Sequence, residues 1–341
     1  MSAPATPAAA RTWQLTARPD GLPTHDLFAL RETPLPELGP GQILVRNEYL
    51  SVDPYMRGRM NDTKSYVPPF ALDQPLEGGA VGVVVDSRAD DVEPGTHVLH
   101  NLGWRDHAVL DAAHAAVVDA DVAPLSAYLG VLGMPGLTAY GGLLRAGAFR
   151  EGDTVFVSGA SGAVGSQVGQ IARLKGAARV VGSAGSAEKV RLLIEKYGFD
   201  AAFNYKDAPV AEQLKAAAPK GIDVYFDNVG GDHLEAAISS MRVHGRIAVC
   251  GMIGAYNSTE APAAPRNLAM VIGKRLRIQG LLVMDFADMK KDFVTDVGGW
   301  LRDGSLTYEE TVVDGLDHTV DGFLGLFSGA NTGKMIIKLD A

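Results

Sequence analysis

Three glycines, Gly159, Gly162 and Gly165, stand at three-residue spacing between a short apolar run, Thr154-Val-Phe-Val-Ser158, and a helical pattern that begins at Ser166. Glycines so placed let the backbone come close to a bound group. The new helix N-terminus then points unpaired N–H groups and the positive end of its dipole at that group. A pyrophosphate suits such a turn, and in a strand–turn–helix context the spacing points to dinucleotide binding. The competing reading is a tight connection in some other α/β protein. The next strand, Arg179-Val-Val-Gly182, places Gly182 where an NAD-binding fold carries an acid for the ribose 2′-hydroxyl. Ser183 and Ser186 offer hydroxyls there, and Lys189 offers a cation one helical turn in. A charge-assisted hydrogen bond to phosphate is about twice as strong as a neutral one, so the expected ligand is NADPH. Glu188-Lys189 could instead be an ordinary solvated helix start.

Other chemistry is sparse. Cys250 is the only cysteine, so no internal disulfide can form, which suits a reducing cytoplasm. A Cys-rich structural zinc site is excluded, and the eight histidines show no His-Glu-x-x-His pattern. No metal is expected. Cys250 closes an apolar strand, where cysteine behaves as a small hydrophobe. Arg57 and Arg59 could steer an acidic substrate or form structural ion pairs. Met134 and Thr138 could line a nicotinamide pocket or pack in the core.

The elements that must position these residues fall into two textures. From Arg11 to about Leu132 short alternating runs such as Gln42–Leu50 and Gly79–Val85 are separated by Pro/Gly turns, the pattern of a β-rich domain. From Thr154 strands alternate with helices: Thr154–Ser158, Arg179–Gly182, Ala201–Tyr205, Ile222–Asp227, Arg246–Cys250 and Leu276–Val283, with helical stretches such as Ala187–Tyr197 and His233–Met241 between them. This is the rhythm of a doubly wound parallel sheet. Phe286–Arg302 reads as one long amphipathic helix and Val320–Ser328 as another. The alternating strand Lys334–Leu339 is expected to return to the first domain's sheet. At 341 residues two domains and a large core are possible. The net charge of −9 disfavours nucleic acid or an anionic membrane as main partner. No apolar run approaches the roughly 18 residues that span a bilayer. Met1–Ala10 lacks the basic start and apolar block of a signal peptide and reads as a frayed tail.

Several longer segments carry a family resemblance: Leu50-Ser-Val-Asp-Pro-Tyr-Met-Arg-Gly-Arg-Met60, Gly133-Met-Pro-Gly-Leu-Thr-Ala-Tyr-Gly-Gly142, the glycine turn, Gly198-Phe-Asp-Ala-Ala-Phe-Asn-Tyr-Lys206, Phe226-Asp-Asn-Val-Gly-Gly231, Cys250-Gly-Met-Ile-Gly-Ala-Tyr-Asn257 and Gly329-Ala-Asn-Thr-Gly-Lys334. In these the chain resembles the zinc-independent medium-chain dehydrogenase/reductases, in the branch of prostaglandin (leukotriene) reductases, alkenal double-bond reductases and bacterial curcumin reductases. Zinc-dependent relatives would carry Gly-His-Glu where this chain reads Leu76-Glu-Gly-Gly-Ala80. The resemblance implies an α/β architecture in which a Rossmann domain, 133–303, is inserted into a GroES-like catalytic domain, 1–132 and 304–341. It implies a homodimer with the active site in a cleft.

The resemblance also assigns residues. Gly162, Ala163, Val164 and Gly165 fall on the pyrophosphate turn, Lys189 and Tyr205 on the 2′-phosphate and adenosine end, and Asn228 on a ribose contact. Cys250, Gly251, Met252, Ile253 and Tyr256 fall on the loop beneath the nicotinamide ribose, and Leu281, Leu282, Val283 and Asn331 beside the nicotinamide half. An enone reductase without a metal must stabilise the developing enolate with hydrogen-bond donors. Tyrosine, with an ordinary pKa of about 10, stays protonated and can donate. Tyr256 is the first choice to bind the substrate carbonyl, and Tyr55 the second donor or proton source. The resulting expectation is NADPH-dependent reduction of the carbon–carbon double bond of α,β-unsaturated carbonyl compounds in the cytoplasm. A quinone reductase of the same superfamily and a non-catalytic NADPH-binding protein stand as alternatives.

Overall fold

The computed structural model describes residues 7–260 and 264–340. It divides into two compact units: residues up to Leu129 with Thr311–Ala330 and the segment from Met335, and Gly130–Glu310 with Asn331–Lys334.

The first unit opens with an antiparallel pair, β1 (Ala9–Leu15) and β2 (Phe28–Pro34). Ala9 and Ala10 are therefore paired strand, not tail, because their partners Pro34 and Thr33 supply a ladder that local sequence could not show. Residues 1–6 of the expected tail lie outside the described residues. Strand β3 (Gln42–Ser51) is followed by the short helix α1 (Met56–Arg59) and then by β4 (Ala80–Ser87), β5 (His97–His100), β6 (His107–Asp111) and β7 (Ala116–Val117). β3 is the hub and pairs with both β4 and β6. Beside it a core of Leu15, Leu50, Met56, Met60, Phe70, Trp104 and Phe323 excludes water, each large side chain contributing about 1.5–3 kcal/mol.

The second unit begins with α2 (Met134–Gly141) and alternates strictly: β8 (Thr154–Val157), α3 (Gly165–Leu174), β9 (Arg179–Ala184), α4 (Ala187–Glu195), β10 (Ala201–Asn204), α5 (Val210–Ala217), β11 (Ile222–Asp227), α6 (Gly231–Ser240), β12 (Met241–Val249), α7 (Met270–Lys274), β13 (Arg277–Gly280) and α8 (Lys290–Arg302). The six strands form one parallel sheet in the order β10-β9-β8-β11-β12-β13, as the alternation predicts. All four residues of β8 are buried, which explains its continuous apolar run. Several boundaries differ from expectation: the expected strand Leu276–Val283 shortens to Arg277–Gly280, and the helices expected over Ala187–Tyr197 and His233–Met241 run Ala187–Glu195 and Gly231–Ser240. β9 runs two residues further than Gly182. β12 starts at Met241, across a bulge in which His244 adopts φ +66°, before regular pairing resumes at Arg246. The segment expected as one long helix from Phe286 begins as a 3-10 turn, Val283–Met289, in which Phe286 is buried against α2.

The chain then returns to the first unit with β14 (Glu310–Asp314), α9 (Thr319–Ser328) and β15 (Lys334–Lys338). β15 pairs antiparallel with β3, the return predicted from its alternating pattern. The completed sheet reads β14-β15-β3-β4-β5-β7 with β6 beside β3.

Candidate active site

In an open parallel sheet, ligands bind beyond the carboxyl ends of the strands, at the point where strand order reverses. Here that point lies between β8 and β11. The proposed cofactor residues of the second unit gather along this rim. The glycine turn follows β8, Ser186 and Lys189 follow β9, and Tyr205 follows β10. Asn228 follows β11, Cys250–Tyr256 follows β12 and Leu281–Val283 follows β13. Six separate sequence motifs thus become one edge.

The glycines of the turn have different physical reasons. Gly159 sits at φ +58°, a conformation that costs other residues. A Cβ on Gly165 would lie 2.4 Å from the Gly159 carbonyl oxygen, so the helix packs against the turn only without one. At Gly162 a Cβ would meet nothing closer than that oxygen at 3.4 Å. The fold does not itself require glycine at Gly162, whereas a backbone left open to a ligand does. Gly162, Ala163 and Val164 are all partly exposed. The turn is also tied from behind: Gly333 donates its N–H to the Ser161 carbonyl at 2.8 Å and forms a bridge with Gly162. Asn331 donates its side-chain amide to the Gly333 carbonyl at 2.8 Å.

At the second strand, Gly182 lies inside β9, where a Cβ would fall 2.9 Å from Ala160 Cβ and from the Phe199 ring. The strand-end position is therefore Ala184-Gly185, which also lacks an acid; the nearest carboxylate acting on Lys189 is the exposed Glu188 of the helix start. Ser183 is wholly buried and cannot offer its hydroxyl at the surface. Ser186 caps α4, its hydroxyl accepting the Lys189 N–H at 3.3 Å. The Lys189 ammonium is held below its ordinary pKa by burial and by the neighbouring positive charge of Lys206. Two cations crowded beside Ser186 and the exposed Tyr205 ring suit a doubly charged anion. Lys206 was not singled out from sequence, although it directly follows Tyr205.

Beyond β11, Asn228 is fixed by its side-chain amide donating to the Ser158 carbonyl at 2.7 Å. Beyond β12, Cys250 and Gly251 donate their N–H groups to the Asp227 carbonyl at 2.9 and 3.0 Å. Burial, and then the Asp227 charge, push the Cys250 thiol up to about 12, so it is no nucleophile at neutral pH. Ile253 donates its N–H to the Asn228 carbonyl at 3.2 Å, and the Tyr256 hydroxyl accepts the Met252 N–H at 3.2 Å. That bond turns the phenol back over its own loop, 3.0 Å from where a Cβ on Gly251 would lie. Leu281 donates its N–H to the Val249 carbonyl and is largely buried, while Leu282 and Val283 are half-buried. Met134 is exposed on α2, and Thr138 is buried with its hydroxyl donating to the Met134 carbonyl at 2.7 Å.

In the first unit, Tyr55 stands at the N-terminus of α1, partly buried against the Met56 and Phe70 core. Burial, reinforced by Asp53, raises its pKa above the ordinary value, so the phenol keeps its proton. Arg57 is buried, donating to Asn61 Oδ1 at 2.7 Å and the Gly21 carbonyl at 2.8 Å. Arg59 bridges Glu77 at 2.8 Å and covers the Phe70 ring at 4.0 Å. Both arginines are structural here, so the steering role considered for them does not fit.

Among the described residues no group of three or more His, Cys, Asp or Glu side chains could hold a metal ion. No helix among them is long and apolar enough to cross a membrane.

A parallel sheet with a ligand-ready glycine turn at its switch point defines a dinucleotide-binding oxidoreductase domain. Residues 11–118 match the family model for the N-terminal domain of oxidoreductase, and residues 163–296 that for zinc-binding dehydrogenase. The chain is 42% identical over 334 residues to the NADPH-dependent curcumin reductase of Escherichia coli (strain K12), with 96% of each chain covered. It is 44% identical over 305 residues to the 2-alkenal reductase (NADP(+)-dependent) of Nicotiana tabacum, with 88% of each covered. The crystal structure of CurA in complex with NADPH from Vibrio vulnificus superposes with a TM-score of 0.93 at 41% identity, covering 97% of this chain and 99% of that one. The chain belongs to the medium-chain dehydrogenase/reductase family, in the zinc-independent branch of curcumin, prostaglandin and alkenal reductases.

Proposed function

We propose that this protein is an NADPH-dependent reductase of the carbon–carbon double bond of α,β-unsaturated ketones and aldehydes. The observation that carries the reading is the pairing of a glycine turn open at Gly162 with a rim where Lys189 and Lys206 come together and the strand-end position itself carries no acid, in a branch whose named members are curcumin and alkenal reductases. Residues 133–303 bind the cofactor, and 1–132 with 304–341 form the substrate-binding part. Gly162–Gly165 hold the pyrophosphate, and Ser186, Lys189, Tyr205 and Lys206 hold the adenosine 2′-phosphate end. Asn228, Cys250–Tyr256, Leu281–Val283, Asn331, Met134 and Thr138 surround the nicotinamide half. The bound nicotinamide supplies hydride to the β-carbon of the substrate. Tyr256 donates to the substrate carbonyl oxygen, where negative charge develops, and Tyr55, which keeps its proton, serves as second donor or proton source.

The same reading includes a cytoplasmic homodimer. β13 is an end strand of the sheet, all four of its residues are exposed, and Ile272 and Ile278 beside this edge are 81% and 40% exposed. An unprotected edge flanked by apolar side chains fits a second copy of the same strand. Sedimentation equilibrium should give a dimer for the wild type and a monomer for Ile272→Glu/Ile278→Glu.

The test of function is NADPH oxidation with a panel of enones and quinones, read with mass spectrometry of the products. Saturated carbonyl product supports the reading. Turnover confined to quinones would replace it with a quinone reductase, and cofactor binding without any turnover with a binding protein.

A further inference from the structure

Asp227 closes β11 at the switch point with its side chain fully buried, an environment that a carboxylate occupies only when it is hydrogen-bonded. Its Oδ1 accepts the Val229 N–H at 3.0 Å and the Gly230 N–H at 2.8 Å, and it lies 2.6 Å from the Tyr225 hydroxyl and 3.2 Å from that of Ser158. Its main-chain carbonyl accepts the N–H groups of Cys250 and Gly251. Ser158, held in this network, accepts the Asn228 N–H on its hydroxyl at 3.0 Å and the Asn228 side-chain amide on its carbonyl. One residue thus joins three segments: the end of β8 that opens the glycine turn, the turn carrying Asn228, and the loop carrying Tyr256. Its second oxygen, Oδ2, is buried with no hydrogen-bond partner among the described residues. Hydrogen bonding to the backbone alone would be served by an uncharged amide, so the retained carboxylate calls for a further reason.

We propose that Asp227 is the positioning residue of the nicotinamide half of the cofactor site, its carboxylate and carbonyl together setting the turn at Asn228 and the loop at Cys250–Tyr256. The adenosine end has its own supports, the Ser186 cap of α4 and the turn after β10, neither of which bonds to Asp227; a weaker link runs through His233, which feels the Asp227 charge and packs edge-on against Tyr205 at 5.3 Å. A defect at Asp227 should therefore be felt chiefly by the nicotinamide half of the cofactor.

The proposal rests on the assignment of Asn228 and Cys250–Tyr256 to the nicotinamide half. Asp227→Asn and Tyr225→Phe are compared with wild type for affinity toward NADPH and toward 2′,5′-ADP, which carries only the adenosine and 2′-phosphate end. Binding is followed by fluorescence and calorimetry, with circular dichroism as the folding control. Asp227→Asn should weaken NADPH about five- to twentyfold and leave 2′,5′-ADP within twofold, and Tyr225→Phe should show the same selectivity at two- to threefold. Equal weakening of both ligands would reduce Asp227 to general scaffolding and overturn the proposal, as would unchanged NADPH affinity. If Asp227→Asn does not fold, Tyr225→Phe decides by the same comparison. A wild-type protein that binds 2′,5′-ADP but gains nothing from the nicotinamide half would overturn the underlying assignment instead.

Discussion

Replacing Lys189 by alanine tests the cofactor reading at its most specific point. The Lys189 ammonium is half-buried and held below its ordinary pKa by burial and by Lys206, against the opposing pull of Glu188. A 2′-phosphate between the two cations turns that repulsion into attraction. A hydrogen bond to a charged group is worth about 1.5–3 kcal/mol, or roughly ten- to a hundred-and-fifty-fold in affinity. Because the exposed Lys206 stays in place, Lys189→Ala should fall at the lower end, a rise of about tenfold in the NADPH KM. Lys189→Ala/Lys206→Ala should approach the upper end. NADH, which lacks the phosphate, should change by less than about twofold. The assay is steady-state oxidation of each cofactor at fixed enone and fixed ionic strength, since an exposed cation is screened by salt. Equal losses with NADPH and NADH would remove Lys189 from the phosphate and refute the reasoning.

Three further outcomes follow from the geometry. Tyr256→Phe should lower kcat with little change in NADPH affinity, and an unchanged rate in single-turnover measurements would exclude the hydroxyl from catalysis. Gly165→Ala should cost roughly 1–3 kcal/mol of stability because its Cβ meets backbone at 2.4 Å, whereas Gly162→Ala should leave the melting temperature unchanged and weaken NADPH about tenfold. An unaltered Kd for Gly162→Ala would show that no ligand approaches there. Buried His100 is pushed down to about 4 by burial and by Arg105, while the unfolded chain titrates near about 6.5. The unfolded state binds the extra proton between these values, so stability is complete above about pH 6.5. It is lost as pH falls toward about 4, by as much as about 3 kcal/mol. Denaturant titrations of the wild type across this range check the assignment, with His100→Asn flattening the slope and buried His233, also lowered by burial, supplying what remains.

How much of this was legible in the sequence depends on whether the responsible physics is local. The alternation of apolar strands with helical patterns is local, and it yielded the parallel sheet, the glycine turn and the return of β15 to β3. Strand ends are set by neighbours. β9 reads as ending at Gly182 because glycine usually breaks a strand, yet that glycine is demanded by Ala160 and Phe199 crossing it, and the ladder with β10 continues to Ala184. The bulge at His244 and the pairing of Ala9 with Pro34 are tertiary in the same way. Among site residues, those recognised by type and spacing, Gly162, Lys189 and Tyr256, lie on loops past strand ends, where side chains contact ligand more than fold. Asp227 was passed over for the opposite reason. The sequence places Asp227 at the end of the strand Ile222–Asp227, before a Gly-Gly pair, and nothing local there states whether it is buried. Only the three-dimensional sheet shows that this end lies beneath two loops and beside Ser158. The residues sharing its face of the strand, Asp223 and Tyr225, gave no local signal that Asp227 would be buried. A buried acid at a switch point then has to be explained by what it holds in place.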